Sequence, residues 1–284
     1  LDAWGRWYVE TTGVDGFRLD AVKHIGAQFF RRWLRDLRRA TGRALPAVGE
    51  YWSEDLAELR GYLGDEPVMS LFDVPLHFHL HAAATSDGNV DLSRLFEGTL
   101  VDADPAHAVT FVENHDTQPR QALASTILPW FKPSAYALIL LREAGIPCVF
   151  WGDLFGTPET GDLPAVTELP LLMAARRLLA HGPQHDAFDA PDVVGFAREG
   201  DDAHPASGLA VVLSDRHAAV KRLHVGARHA GEQWVCVLGG HGPVVVDADG
   251  GAELEVSDGG LSVYAPAAAE SELGRSLDRL VRQR

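Results

Sequence analysis

Three carboxylates stand where three apolar runs stop. Asp20 follows residues 14–19, Glu50 follows 44–48, and Asp116 lies just past 108–112. Carboxylates so placed can divide the work of nucleophile and general acid/base, and a third can stabilise positive charge developing on a substrate. Side chains alternate along a strand, so Phe17 and Leu19 fall on one face and Arg18 and Asp20 on the other. On that second face the Arg18 guanidinium would orient Asp20 and balance its charge. Lys23 and His24 add two basic groups three and four residues on, Tyr51 and Trp52 would desolvate Glu50, and His115 immediately precedes Asp116. Taken singly, a carboxylate at such a position is more often a helix N-cap or loop anchor, and Arg18 with Asp20 reads equally well as a structural salt bridge.

Elements that can position these groups follow from the pattern. Helix is expected over 1–12, stopped by Gly13, and over 25–40, where Phe29, Phe30, Trp33, Leu34 and Leu37 recur at helical spacing. Ser53 can cap a helix to about residue 63. Strands are expected at 70–74 and 148–151, and helices at 134–143 and 165–181. Apolar strands alternating with amphipathic helices predict parallel βα units. Polar residues gather at the carboxyl ends of the strands (Asp20, Glu50, Asp73, His115 with Asp116, Asp153), where (β/α) barrels build their sites. A doubly wound sheet is the rival, without a Gly-rich phosphate loop to support it. His77, His79 and His81 are spaced by two and cannot share one helix face, so they predict no metal cluster.

After His185 the grammar changes to short alternating strands, at 193–198, 209–214, 222–225, 233–238, 244–247, 253–256 and 261–264, separated by Gly/Asp turns. That predicts an antiparallel, sandwich-like β domain. The expected organisation is therefore a partial (β/α)8 barrel over 1–182, an antiparallel β domain over 183–265, and a helical or disordered tail over 266–284.

The chain has 284 residues and a net charge of −15. Such an acidic surface repels phosphate backbones and anionic lipid, which argues against nucleic-acid and membrane-surface partners. Its two cysteines, Cys148 and Cys236, sit in apolar runs and lack metal-binding spacing.

The motifs GFRLDAVKH, GEYW thirty residues after Asp20, and FVENHD sixty-six after Glu50 resemble the second, third and fourth motif regions of the α-amylase family of glycoside hydrolases, family 13. LFDVPLHFHLHAA, WFKPSAYALILLREAGIPCVFWGD and QHDAFD are similar to the bacterial liquefying type, and the resemblance runs from about residue 1 to 265. It implies retaining endo-hydrolysis of α-1,4-glucans by a protein that is monomeric at full length. Asp20 would be the nucleophile, Glu50 the acid/base and Asp116 the transition-state carboxylate, with Arg18, Lys23, His24, Trp52, His115 and Gln118 around the substrate. It also implies calcium, with sodium at a neighbouring site: the His24 carbonyl at one position, and Gly88, Val90, His185, Asp186 and Asp215 at another. Maltooligosaccharide release, transglycosylation and non-catalytic glucan binding are the alternatives. The resemblance starts in the third barrel helix and lacks the family's first motif region, so the expectation is the carboxyl-terminal part of a longer enzyme, inactive alone.

Overall fold

The computed structural model describes residues 1–157 and 163–282. Along the chain run α1 (Asp2–Thr12), β1 (Phe17–Leu19), α2 (Ala27–Thr41), β2 (Ala47–Gly49), α3 (Leu56–Leu63), β3 (Ser70–Phe72), α4 (Val74–Thr85), α5 (Leu100–Ala103), β4 (Ala108–Phe111), α6 (Lys132–Leu140), β5 (Ile146–Cys148), α7 (Trp151–Phe155) and α8 (Leu169–Leu178). Then follow β6 (Gln184–Ala187), β7 (Val193–Arg198), β8 (Leu209–Ser214), β9 (Ala219–His224), β10 (Gln233–Leu238), β11 (Val244–Val245), β12 (Gly251–Val256), β13 (Leu261–Pro266) and α9 (Glu270–Arg282). The chain divides into two interleaved compact units, where the sequence suggested one boundary near 182. The first is Leu1–Phe78, Phe96–Thr110 and Ala144–Cys148; the second is His79–Leu95, Phe111–Glu143 and Val149–Arg284.

In the first unit a five-stranded sheet runs β1-β2-β3-β4-β5, with β1 through β4 paired in parallel. This is the barrel-type half of the fold. Helix α2 buries Phe30, Trp33, Leu34 and Leu37, one stripe of a helix whose other face is charged. Helix α1 crosses α2 at Gly5, where a Cβ would stand 2.6 Å from the Trp33 ring. Expected strand 70–74 ends two residues early because Asp73 turns inward. Its fully buried carboxylate accepts N–H groups from Leu76, Leu100 and Val101, serving the starts of α4 and α5 together. Asp73 is therefore a structural cap. The α3 cap is Asp55, which accepts from the Ala57 N–H at 2.8 Å; Ser53, expected there, accepts from the Asp55 N–H instead.

In the second unit α6 is buried on every described side, Lys132 included, so its sequence reads as apolar throughout and its ends are hard to place. The β elements form a six-stranded sheet, β11-β10-β13-β8-β7-β6, and a two-stranded sheet, β12-β9. Trp234, Tyr264, Val212 and Ala197 of the larger sheet pack with Leu223, Leu254 and Val256 of the smaller. The expected sandwich is present. Edge strand β6 was not anticipated, because Gln-His-Asp-Ala carries no apolar alternation. Helix α9 forms in the tail. Among the described residues no helix is long and apolar enough to cross a membrane.

Candidate active site

Parallel pairing aligns β1 with β2 so that Arg18 stands opposite Val48 and Leu19 opposite Gly49. The chain can approach closely at Gly49, where a Cβ would lie 2.9 Å from both Leu71 Cδ2 and Met69 Sδ. Immediately beyond, one guanidinium holds two carboxylates. Arg18 Nη1 pairs with Asp20 Oδ1, and Nη2 lies 2.7 Å from Glu50 Oε1. The second contact is ionic without hydrogen-bond geometry, so Glu50 Oε1 receives no hydrogen bond. Glu50 Oε2 accepts from the Ala21 N–H at 3.1 Å.

The two carboxylates sit in unlike surroundings. The Asp20 side chain is 78% exposed and that of Glu50 only 9%. Ala21, between them, adopts the left-handed region with φ 44°, a strained conformation for a residue with a Cβ. That turn presents its N–H to Glu50 and leaves Asp20 open to solvent. The two carboxylates that share Arg18 therefore differ sharply in solvent exposure.

Tyr51 packs on Tyr62 with ring centroids 5.0 Å apart, and Trp52 lies 5.8 Å from the His77 ring and 6.0 Å from Phe78. Lys23 is exposed and donates to the Trp52 carbonyl at 2.8 Å, and His24 lies exposed in the adjoining 3₁₀ turn.

In the second unit the Asn114-His115-Asp116 loop is an Asx turn. Asn114 Oδ1 accepts from the N–H groups of Asp116 (2.8 Å) and Thr117 (3.0 Å). His115 is 65% exposed, with Nε2 3.4 Å from Asp116 Oδ2. Gln118, expected at the substrate, is buried and donates to the His115 carbonyl. It braces the loop from behind.

Sequence reasoning missed a buried ionic network beneath this loop. Glu113 accepts from Ile127 N–H and Thr117 Oγ1–H, both at 2.6 Å, and lies 3.7 Å from Lys132 Nζ. Lys132 donates to Asp153, whose other oxygen accepts from Tyr136 O–H at 2.7 Å. Two carboxylates share one ammonium and Asp153 holds it closer. Burial pushes Glu113 up to about 7, opposed by Lys132 and by the two hydrogen bonds. A lone lysine inside the apolar WFKPSAY segment was the available signal.

The expected second cation set is split. Asp186 is engaged by both Arg142 Nη atoms, at 2.7 and 3.1 Å, and His185 Nε2 lies 2.5 Å from Glu199. Strand register places Asp186 opposite Phe196 and Phe196 opposite Val211, four residues short of Asp215 along its strand. At about 3.3 Å per residue, His185 and Asp186 are too distant to share an ion with Asp215. Asp192 is the carboxylate actually beside Asp215: the Asp215 N–H donates to the Asp192 carbonyl at 3.2 Å. The Gly88–Leu92 loop meets the same place, with Leu92 N–H on the Pro191 carbonyl and Arg216 Nε on that of Gly88. Both Asp215 oxygens are buried without a hydrogen-bond partner. Burial raises the Asp215 carboxyl, partly offset by Arg216 and reinforced by Asp192. An orphaned buried carboxylate beside a second one fits a hard cation. His79 and His81 bond separate carbonyls, those of Leu95 and Thr126.

No family model matches the chain. It is 46% identical over 268 residues to an α-amylase of Geobacillus stearothermophilus, covering 94% of this chain and 49% of that protein. Over nearly its whole length the chain is thus similar to part of an α-amylase. Its similarity to the glucan 1,4-alpha-maltohexaosidase of Bacillus sp. (strain 707) is again 46%, covering 93% of the chain and 51% of the relative. The chain thus spans about half the length of the curated relatives it matches. An α-amylase structure from Malbranchea cinnamomea superposes with a TM-score of 0.68 at 20% identity, over 94% of this chain and 59% of that one. That agreement supports the fold: part of a (β/α)8 barrel followed by an antiparallel β domain.

Proposed function

We propose that this chain carries the catalytic carboxylates of an α-amylase-type enzyme that cleaves α-1,4-glucosidic bonds of starch, glycogen or maltodextrins with retention of configuration. The observation that carries the reading is the single guanidinium bridging exposed Asp20 and sheltered Glu50. In this reading Asp20 attacks the anomeric carbon to form a glycosyl-enzyme. Glu50 first protonates the leaving oxygen, then takes a proton from water. Asp116 is assigned the transition-state carboxylate, His115 and Lys23 sugar contacts, and Trp52 a stacking surface. Calcium is assigned to Asp215 and Asp192 with carbonyls of the Gly88–Val90 segment, and a further calcium to the His24 carbonyl; its part is to hold loops in place. Release of a fixed maltooligosaccharide is the second reading, favoured by the similarity to a maltohexaosidase.

The test is Glu50→Gln in protein containing the whole catalytic half, assayed on amylose and on an aryl maltoside with an activated leaving group. Loss of several orders of magnitude on amylose with a smaller loss on the activated substrate is expected, since only the former needs the acid. Equal, modest losses on both would sink the assignment. Product lengths over time separate random cleavage from fixed-length release.

A further inference from the structure

Among the described residues outside the site already described, two clusters bring imidazoles and a carboxylate together: His181 with Asp201 and His204, and His185 with Glu199 and His224. In the first, the two rings lie face to face, centroids 3.5 Å apart and planes 5° from parallel. Their in-plane lone pairs therefore lie in two parallel, closely spaced planes. His181 Nε2 also sits 3.0 Å from the Arg177 carbonyl, which only accepts, so that nitrogen carries the proton and is closed to a metal. The second cluster is built differently.

We propose that His185, Glu199 and His224 form a binding site for a divalent transition-metal ion, zinc by its ligand set, which ties the edge of the six-stranded sheet to the two-stranded sheet. His185 lies on β6, Glu199 just after β7, and His224 ends β9. Both Nε2 atoms address the same Glu199 oxygen, at 2.5 and 3.9 Å. These values bracket the roughly 3.3 Å between ligand atoms on a tetrahedral zinc with bonds near 2 Å. The rings stand at 85° with centroids 5.0 Å apart, so their lone pairs approach from different directions, as a tetrahedral ion requires.

The carboxylate is fixed in advance. The Glu199 N–H donates to the Pro183 carbonyl at 2.9 Å, and its own carbonyl lies 2.7 Å from His229 Nε2. Its side chain rests against Gly226, at φ 108°, where a Cβ would stand 3.0 Å from Cγ and Cδ. Two imidazoles suit a borderline cation and disfavour calcium, and with three protein ligands the fourth position remains for water. Each imidazole must be neutral to bind.

The experiment titrates the 284-residue chain, stripped with EDTA and resupplied with calcium, with zinc by calorimetry and with cobalt(II) by visible absorption. The expected result is one zinc per chain, an intense tetrahedral cobalt spectrum and a higher melting temperature with zinc. His185→Ala and His224→Ala should each weaken zinc binding at least about tenfold and abolish the cobalt bands, whereas His204→Ala should change neither. Melting temperatures in EDTA check that the variants fold; His224→Gln, a milder change at an exposed strand end, serves if the alanine variant does not. Absence of zinc binding, a cobalt spectrum unchanged in both first-cluster-sparing variants, or its loss in His204→Ala would each overturn the proposal.

Discussion

The buried pair of carboxylates under the Asn114-His115-Asp116 loop makes stability depend on pH in a defined direction. Glu113 rises from 4.5 to about 7, burial being the chief cause. A carboxyl whose folded pKa is raised stabilises the fold below its unfolded value and loses that contribution as pH rises through the folded value. The window therefore runs from about pH 4.5 to just above 7. The shift corresponds to about 3 kcal/mol at most across it. Glu113→Gln removes the titration but keeps the shape: the amide oxygen can accept from Ile127, and its NH₂ can donate to Thr117 Oγ1. That hydroxyl can in turn donate to the Asn114 carbonyl 3.2 Å away. Wild type and variant should be nearly equal at pH 5, and the variant more stable by up to about 3 kcal/mol at pH 8. Urea unfolding followed by tryptophan fluorescence at fixed calcium measures the difference, with other groups cancelling between the two proteins. A difference that stays constant with pH, or favours wild type as pH rises, would refute the reasoning.

Lys132→Met should cost about 3–5 kcal/mol at neutral pH, because it leaves Asp153 and Glu113 buried without their cation. Adding Asp153→Asn should recover part of that loss in a double-mutant cycle. Asp215→Asn should raise the melting temperature in EDTA, where an orphaned buried carboxylate is removed, and lower the gain produced by calcium. Equal calcium responses in the two proteins would remove Asp215 from the cation site. Gly182→Ala should destabilise by more than about 2 kcal/mol or prevent folding: φ is +74° and the new Cβ would stand 1.9 Å from the Gly200 carbonyl oxygen. Expression yield and thermal unfolding report it.

Much of the fold was legible because it rests on local periodicity. The strands Val193–Arg198, Leu209–Ser214 and Gln233–Leu238 fall on their expected bounds residue for residue. Element ends slipped where a side chain far away in sequence intervened. Asp73 stops its strand because N–H groups 27 and 28 residues downstream need an acceptor. Strand β6, polar along its length, is set by pairing with β7 rather than by its own composition.

The same division runs through the candidate site. Sequence alone determined which carboxylates stand at strand ends and their family spacing, because strand ends and motif intervals are properties of the chain. Tertiary structure decided what each side chain meets. It placed Arg18 between Asp20 and Glu50, exposed the first carboxylate and sheltered the second, and turned Gln118 inward. It also set Asp192, not Asp186, beside Asp215, and hid Glu113 with Lys132 behind the loop. Charges interact over a few ångströms whatever their separation in sequence, so their partners are fixed only when the strands pair and the helices pack.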